Sequence, residues 1–379
     1  MRALNLRIIS LFLTVFFALP LFSQRKSINI PNLKDYVTLK CDFHIHTVFS
    51  DGTVWPTVRV DEARRDGLDA IAITDHIEIR PRLRQLQTVT DITLTGITHN
   101  VSYELAKTQA EKEGIILIRG SEISHAMPPG HSNAIFLSDA DKLDVPDYMD
   151  AFRAAKAQNA FIFWNHPGAL GGSYGQPDTT LWWQEHTTLL EQGMMHGIEV
   201  VNGGRYFIEA HRWCLEKNLT MIGATDSHQP IPSFAEGKHR AMTLVFAREK
   251  TSEAIHEALI ERRTAVYLDD FVIGEEKYLK ELFENAVDIK VKMNNSSDTA
   301  HITFNNNSDL IFHLRKDNHD PRLTYFRNIN IIPYIINPNE QQTITVRLNE
   351  GIKGGDVNFI IENFLTTPDK GMRYTVKVQ

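Results

Sequence analysis

Short apolar runs alternate with amphipathic stretches from Asp35 to about Val287. The apolar runs at 37–43, 70–74, 115–118, 133–137, 161–164, 197–201, 220–223 and 242–246 read as strands. Several of the intervening segments have recognisable helix ends. Residues 56–66 open on Pro56 and are followed by Gly67, the asymmetry expected of a helix. Asn100 is placed to cap a helix that runs to Glu113 and stops at Gly114, and 252–263 ends in basic residues. Strands alternating with helices predict βα units around a mainly parallel sheet, here closed into a barrel.

The texture changes near Val287. Short alternating runs follow at 288–293, 301–305, 310–315, 325–332, 342–348, 357–362 and 374–378, separated by Asn-, Asp- and Gly-rich turns. They predict a small all-β sandwich of roughly 90 residues. The expected organisation is therefore α/β, with a barrel over 35–286, a linker near 284–287 and a sandwich over 287–379. No internal repeat interrupts it.

Residues 1–23 belong to neither unit. Arg2 and Arg7 precede an apolar run over 8–22 that is broken by Ser10, Thr14 and Pro20. This is the pattern of a secretory signal peptide. The run is shorter than the about 20 apolar residues that span a bilayer, so no stable membrane anchor is expected. The expected location is outside the cytoplasm, periplasmic or extracellular. Cys41 and Cys214, the two cysteines, make no disulfide framework. Cys41 alternates with Val37, Leu39 and Phe43 along a strand, which makes packing its expected role.

The net charge is −7, from 47 acidic and 40 basic residues, and no basic stripe is present to mark a nucleic-acid partner. Sixteen histidines point instead to metal, because several adjoin carboxylates. Asp42-Phe43-His44-Ile45-His46 places two imidazoles one pleat apart, with Phe43 and Ile45 expected on the opposite face. Asp51 follows in a turn; the next strands end in Asp75-His76 and Gly120-Ser121-Glu122; His131 introduces a strand; others run into Asn165-His166-Pro167 and Asp226-Ser227-His228. Histidine or carboxylate thus recurs at strand ends, mostly carboxyl ends, where βα barrels place their chemistry. His125 competes with His131 as a ligand, and His131 is preferred because it leads into an apolar strand. His186, His196, His211 and His239 stand outside the pattern. Trp182 and Trp183 read as packing, and the glycine-rich 171–175 lacks the Gly-Lys-Ser/Thr of a phosphate loop.

In order, these motifs resemble the PHP family, named for polymerase and histidinol phosphatase, over about 39–245. The resemblance implies a distorted seven-stranded β/α barrel with two or three divalent metals. It implies that His44, His46, Glu122 and Asp226 hold the first, that Glu122 bridges to a second completed by His131 and His166, and that Asp51, His76 and His228 hold the third. Ligand type leaves zinc, manganese and iron open. Closely spaced metals can carry a bridging hydroxide as nucleophile and polarise phosphoryl oxygens; Asp226 is the candidate to orient it or accept its proton, and Arg205 the candidate phosphate-binding cation. The leader and appended β-domain look most like the exported phosphodiesterases of that family. A small-molecule phosphodiester is accordingly the expected substrate. The alternatives are a phosphomonoester of nucleotide, sugar or histidinol phosphate type, and an amidohydrolase-like reaction. Oligomeric state is left open.

Overall fold

The computed structural model describes residues 25–82, 97–168, 180–235, 237–294, 298–317, 323–325, 332–349 and 354–378. The expected leader at 1–23 and the glycine-rich 171–175 lie outside them. The first domain is organised around β1 (Val37–Ile45), β2 (Ala70–Ile73), β3 (Ile116–Ile123), β4 (Ser132–Ile135), β5 (Phe161–Trp164), β6 (Gly197–Asn202), β7 (Arg205–Tyr206) and β8 (Thr220–Ala224). It continues through β9 (Met242–Ala247), β10 (Thr264–Leu268) and β11 (Phe271–Gly274).

Strands β1, β2 and β3 pair in parallel, as do β5, β6 and β8. Between these blocks β4 runs antiparallel to both β3 and β5. These seven strands form the distorted barrel; β7 is only a short hairpin arm on β6. The ring closes where Ile45 bridges to Ser227 beyond β8. Antiparallel β9 and β10 line the seam, with Thr243 Oγ1 bonded to both Gly223 N and O. The reversal of β4 has a direct consequence: its first residue, not its last, meets the edge where β1, β3 and β5 end. A ligand there must precede its strand.

The barrel interior is packed by Cys41, Phe43, Phe161, Phe163, Ile222 and Val245, with Ile255 and Leu259 of the helix Ser252–Ile260 below. Both cysteines are free and buried. Strict alternation along β1 placed Phe43 opposite His44. The register of β1 on β2 instead shifts between Asp42 and Ile45, and such a bulge re-aims side chains beyond it. Phe43 stays in phase with Leu39 and Cys41 in the interior, while Ile45, beyond the shift, packs outward with Val60, Ala63, Ile71 and Ala106, partly from the helices Pro56–Arg65 and Val101–Glu113. The expected Asn100 cap is also corrected: its side chain makes no cap bond and is held by Asp139, Asp141 and the Ala140 amide.

The second domain comprises β12 (Val287–Met293), β13 (Thr299–Asn306), β14 (Phe312–Lys316), β15 (Leu323–Tyr325), β16 (Tyr334–Ile336), β17 (Gln341–Leu348), β18 (Gly355–Thr367) and β19 (Lys370–Val378). One sheet runs β12-β13-β17-β15; β16, β14, β18 and β19 form the facing layer. Ile302, Phe304, Ile344 and Val346 pack on Phe312, Leu314, Phe359 and Ile361, and Phe304 meets Phe359 edge to face at 5.5 Å. The expected strand at 325–332 lies mainly outside the described residues; β15 and β16 flank it in different sheets.

No linker separates the domains. The helix Glu276–Ala286 passes straight into β12, burying Tyr278, Leu279, Leu282, Phe283 and Ala286. That helical spacing of apolar residues makes the junction a packed element. In addition β11 pairs in parallel with β18, and buried Asn363 bonds to Asp270 O, Ile311 O and His313 N. Among the described residues, no helix is long and apolar enough to cross a membrane.

Candidate metal centre

At the carboxyl edge of the barrel, four ligand atoms from three elements meet. His44 Nε2 lies 3.0 Å from His46 Nε2. Glu122 Oε2, on β3, is 3.4 and 3.3 Å from these two nitrogens, and Asp226 Oδ1 is 3.2 and 3.1 Å from them. Donors sharing one cation through bonds of about 2.0–2.2 Å stand roughly 3–3.5 Å apart. Glu122 Oε1 faces the other way, 3.0 Å from His131 Nδ1 and 3.6 Å from His166 Nε2. Across His46, Asp51 Oδ1 lies 3.2 Å from His228 Nε2 and 3.6 Å from His76 Nε2. The three sets adjoin, since the His76 and His228 rings both stack on His46.

Local backbone chemistry brings these atoms together. Asp226 N–H donates to His44 O and His46 N–H to Ser227 O, so the 225–228 loop zips onto the end of β1. Buried Asp75 accepts from Thr47 N, Thr47 Oγ1, Ser50 Oγ and Ser102 Oγ, which fixes the turn carrying Asp51. Gly52 belongs to that turn because a Cβ there would lie 2.8 Å from backbone atoms of His46 and Thr47. His166 and Asp226 hold φ of 28° and 52°, the sparsely populated region where strain gathers at functional sites.

The electrostatics favour positive charge. Burial acts to neutralise His44, yet Asp226, Glu199 and Glu122 outweigh it and hold its pKa well above the ordinary value. Burial acts to raise Glu122 as well, but His44, His131 and His166 drive its carboxyl well below the usual range. His228 and His76 do the same for Asp51 against its own burial. Glu122 Oε2 and Asp51 Oδ1 are buried without a hydrogen-bond partner among the described residues. Against burial, carboxylates raise the pKa of His44, His76, His166 and His228, while burial lowers that of His46. With buried oxygens that lack a hydrogen-bond partner among the described residues, this fits a site for cations.

All nine sequence-derived ligands thus lie in one cluster. His125 lies apart, bonded to Ala126 O and stacked near Tyr148. Arg205 sits over the Phe207 ring at 4.9 Å, with Nη2 3.0 Å from where a Cβ on Gly168 would be, just past His166. The four histidines outside the pattern serve packing and hydrogen bonding: His186 stacks on Trp164 and bonds to Pro129 O, His211 bonds to the Tyr206 hydroxyl, His196 accepts from Ile162 N–H and His239 bonds to Asp269 O. Trp182 packs edge-on against Trp164 and Trp213.

Two residues escaped the sequence reading. Glu199, 0% exposed, puts Oε1 2.8 Å from His44 Nδ1. Asn202 bonds both to Glu199 and to Asp226. The available signal was a lone carboxylate inside the apolar run Gly-Ile-Glu-Val-Val, since a buried charge requires a partner.

Comparison with known proteins identifies the domains that carry these residues. A sequence model of the PHP domain matches residues 42–309, and one described as an Ig-like domain matches 287–377. The structure is similar to that of a two-domain protein of Bacteroides vulgatus, described as containing a predicted PHP-like metal-dependent phosphoesterase. The two are 52% identical, with a TM-score of 0.85 over 93% of this chain and 99% of the other. An uncharacterised protein of Methanocaldococcus jannaschii is 35% identical over 92 residues, 24% of this chain. That match spans 36% of the archaeal protein's length.

Proposed function

The chain belongs to the PHP-domain family, and from that premise we propose that it is a metal-dependent phosphoesterase that hydrolyses a small-molecule phosphodiester outside the cytoplasm. The observation that carries the reading is the convergence of His44 and His46, whose Nε2 atoms lie 3.0 Å apart, on Glu122 Oε2 and Asp226 Oδ1, each 3.1–3.4 Å from both nitrogens. His131 and His166 would hold a second ion against Glu122, and Asp51, His76 and His228 a third. Zinc, manganese or iron suits this donor set. When bound, such ions supply a nucleophilic hydroxide at neutral pH and Lewis acidity toward phosphoryl oxygens.

The chain's own residues do the rest. Asp226 directs Oδ1 at the two histidines and Oδ2 at Asn202, which suits it to orient the attacking water and accept its proton. Arg205 makes no ion pair among the described residues and borders the segment after His166; we assign it to a non-bridging phosphoryl oxygen. The diester preference and the export rest on the signal-peptide pattern at 1–23 and the appended β-domain.

Metal-stripped protein reloaded with zinc or manganese, assayed on paired chromogenic mono- and diesters, tests the proposal. Metal-dependent turnover favouring the diester is expected. A strong monoester preference would overturn the diester assignment, and no turnover of either ester at any metal load would overturn the phosphoesterase.

A further inference from the structure

Glu199 sits in the middle of β6 with its side chain fully enclosed. It touches no candidate ligand atom that faces a metal, yet its two oxygens contact the backs of two ligand-bearing segments and, through Asn202, reach a third. Oε1 lies 2.8 Å from His44 Nδ1. Oε2 accepts from the His166 backbone N–H at 2.6 Å and from Asn202 Nδ2 at 2.9 Å. Asn202 reaches on to Asp226 Oδ2 at 3.3 Å.

An ionised carboxylate only accepts hydrogen bonds. A His44 that gives its Nε2 lone pair to a cation, on the side of His46, Glu122 and Asp226, must therefore carry its one proton on Nδ1, toward Glu199. The same carboxylate pins His166 through its main chain, whose donor cannot turn round. We propose that Glu199 is the positioning residue of the metal centre: it sets the His44 tautomer and couples the first-metal ligands to the segment that presents His166. The inference rests on the metal-centre reading above and adds to it a residue outside the ligand set.

Glutamine separates this role from mere space-filling. It has the shape of glutamate but offers one oxygen and one NH₂ group. The fixed His166 N–H demands the oxygen, which turns the NH₂ toward His44 Nδ1. His44 must then accept at Nδ1 and carry its proton on Nε2, where it no longer binds metal. Aspartate is the poorer fit in shape but remains an acceptor on both oxygens. A positioning role predicts that Glu199→Asp retains metal better than Glu199→Gln; a packing role predicts the reverse order.

The experiment uses the full chain loaded with zinc, elemental analysis after dialysis, and competition against a chromogenic chelator, with no assay of turnover. In Glu199→Gln, one zinc per chain is expected to weaken about 10- to 100-fold, the usual effect of losing a carboxylate behind a ligating histidine. Glu199→Asp should retain more of it. Gln binding zinc within about twofold of the parent, equal loss in both variants, or greater loss in Asp each overturns the proposal. If the Gln variant does not fold, Glu199→Asp is set against His44→Ala: retention above His44→Ala supports the assignment and loss to that level overturns it. A parent chain that takes up no zinc sinks the metal centre itself, a different failure from any of these.

Discussion

Arg59 offers a sharp test of how the centre is held. Its guanidinium lies beneath the cluster and donates to His46 O at 2.9 Å, Ser227 O at 2.8 Å and Gln229 O at 3.0 Å. It thereby ties the end of β1 to the loop that carries Asp226 and His228. It also pairs with Glu62 at 2.7 Å, the two side chains being 0% and 6% exposed. Arg59→Met keeps most of the volume and removes every one of these bonds. The Glu62 carboxylate then remains buried with, among the described residues, only the Ile231 N–H. Stranding one partner of a buried ion pair costs about 3–5 kcal/mol, and under-satisfied carbonyls add roughly 1 kcal/mol or more. We expect Arg59→Met to lose about 4–6 kcal/mol, a large part of the roughly 5–15 that a protein has. Arg59→Met/Glu62→Gln removes the stranded charge and keeps an acceptor for Ile231, so it should recover about 2–3 kcal/mol of that loss. Urea unfolding of the metal-free protein, followed by tryptophan fluorescence, measures both. A single-variant loss below about 1 kcal/mol, or a double variant no better than the single, would show that the guanidinium does not hold the site.

Two further outcomes follow from the same geometry. Asp226→Asn in the metal-saturated protein should lower kcat by about 10²–10⁴-fold, the range for losing a proton acceptor; a change under fivefold would remove Asp226 from the reaction. Burial lowers the His211 pKa to about 4, below the ordinary value of about 6.5. The unfolded chain then binds the extra proton, so His211 leaves stability intact above pH 6.5 and reduces it as pH falls toward 4. Between pH 8 and pH 5 that amounts to about 2 kcal/mol. His211→Gln, which keeps an acceptor for the Tyr206 hydroxyl, should flatten the stability profile by that amount, and an unchanged slope would refute the assignment.

Much of the candidate site was legible because its candidate ligands stand at strand ends, where the apolar run stops and a polar side chain has an evident reason to be. His44, Glu122, His166 and Asp226 all announce themselves that way. Glu199 did not, because it interrupts an apolar strand from within and its partners are distant in sequence. The fold was legible where periodicity was long. It failed at β10, β11 and the arm β7, whose two to five residues carry little pattern. The bulge in β1 was hidden for a different reason: a register shift is a property of two paired strands and leaves no mark on either alone. At the junction, the apolar spacing of Tyr278, Leu282 and Phe283 was present but lay beside charged residues that suggested a connector.

The parallel pairing of β11 with β18 makes the two halves one continuous fabric. A chain severed after Ala286 would bare the rim of β11, with main-chain donors and acceptors facing solvent and apolar neighbours alongside, the makings of a self-associating surface. The immunoglobulin-like half therefore acts as a selvedge for the catalytic half, and the whole polypeptide is the unit to express and to engineer.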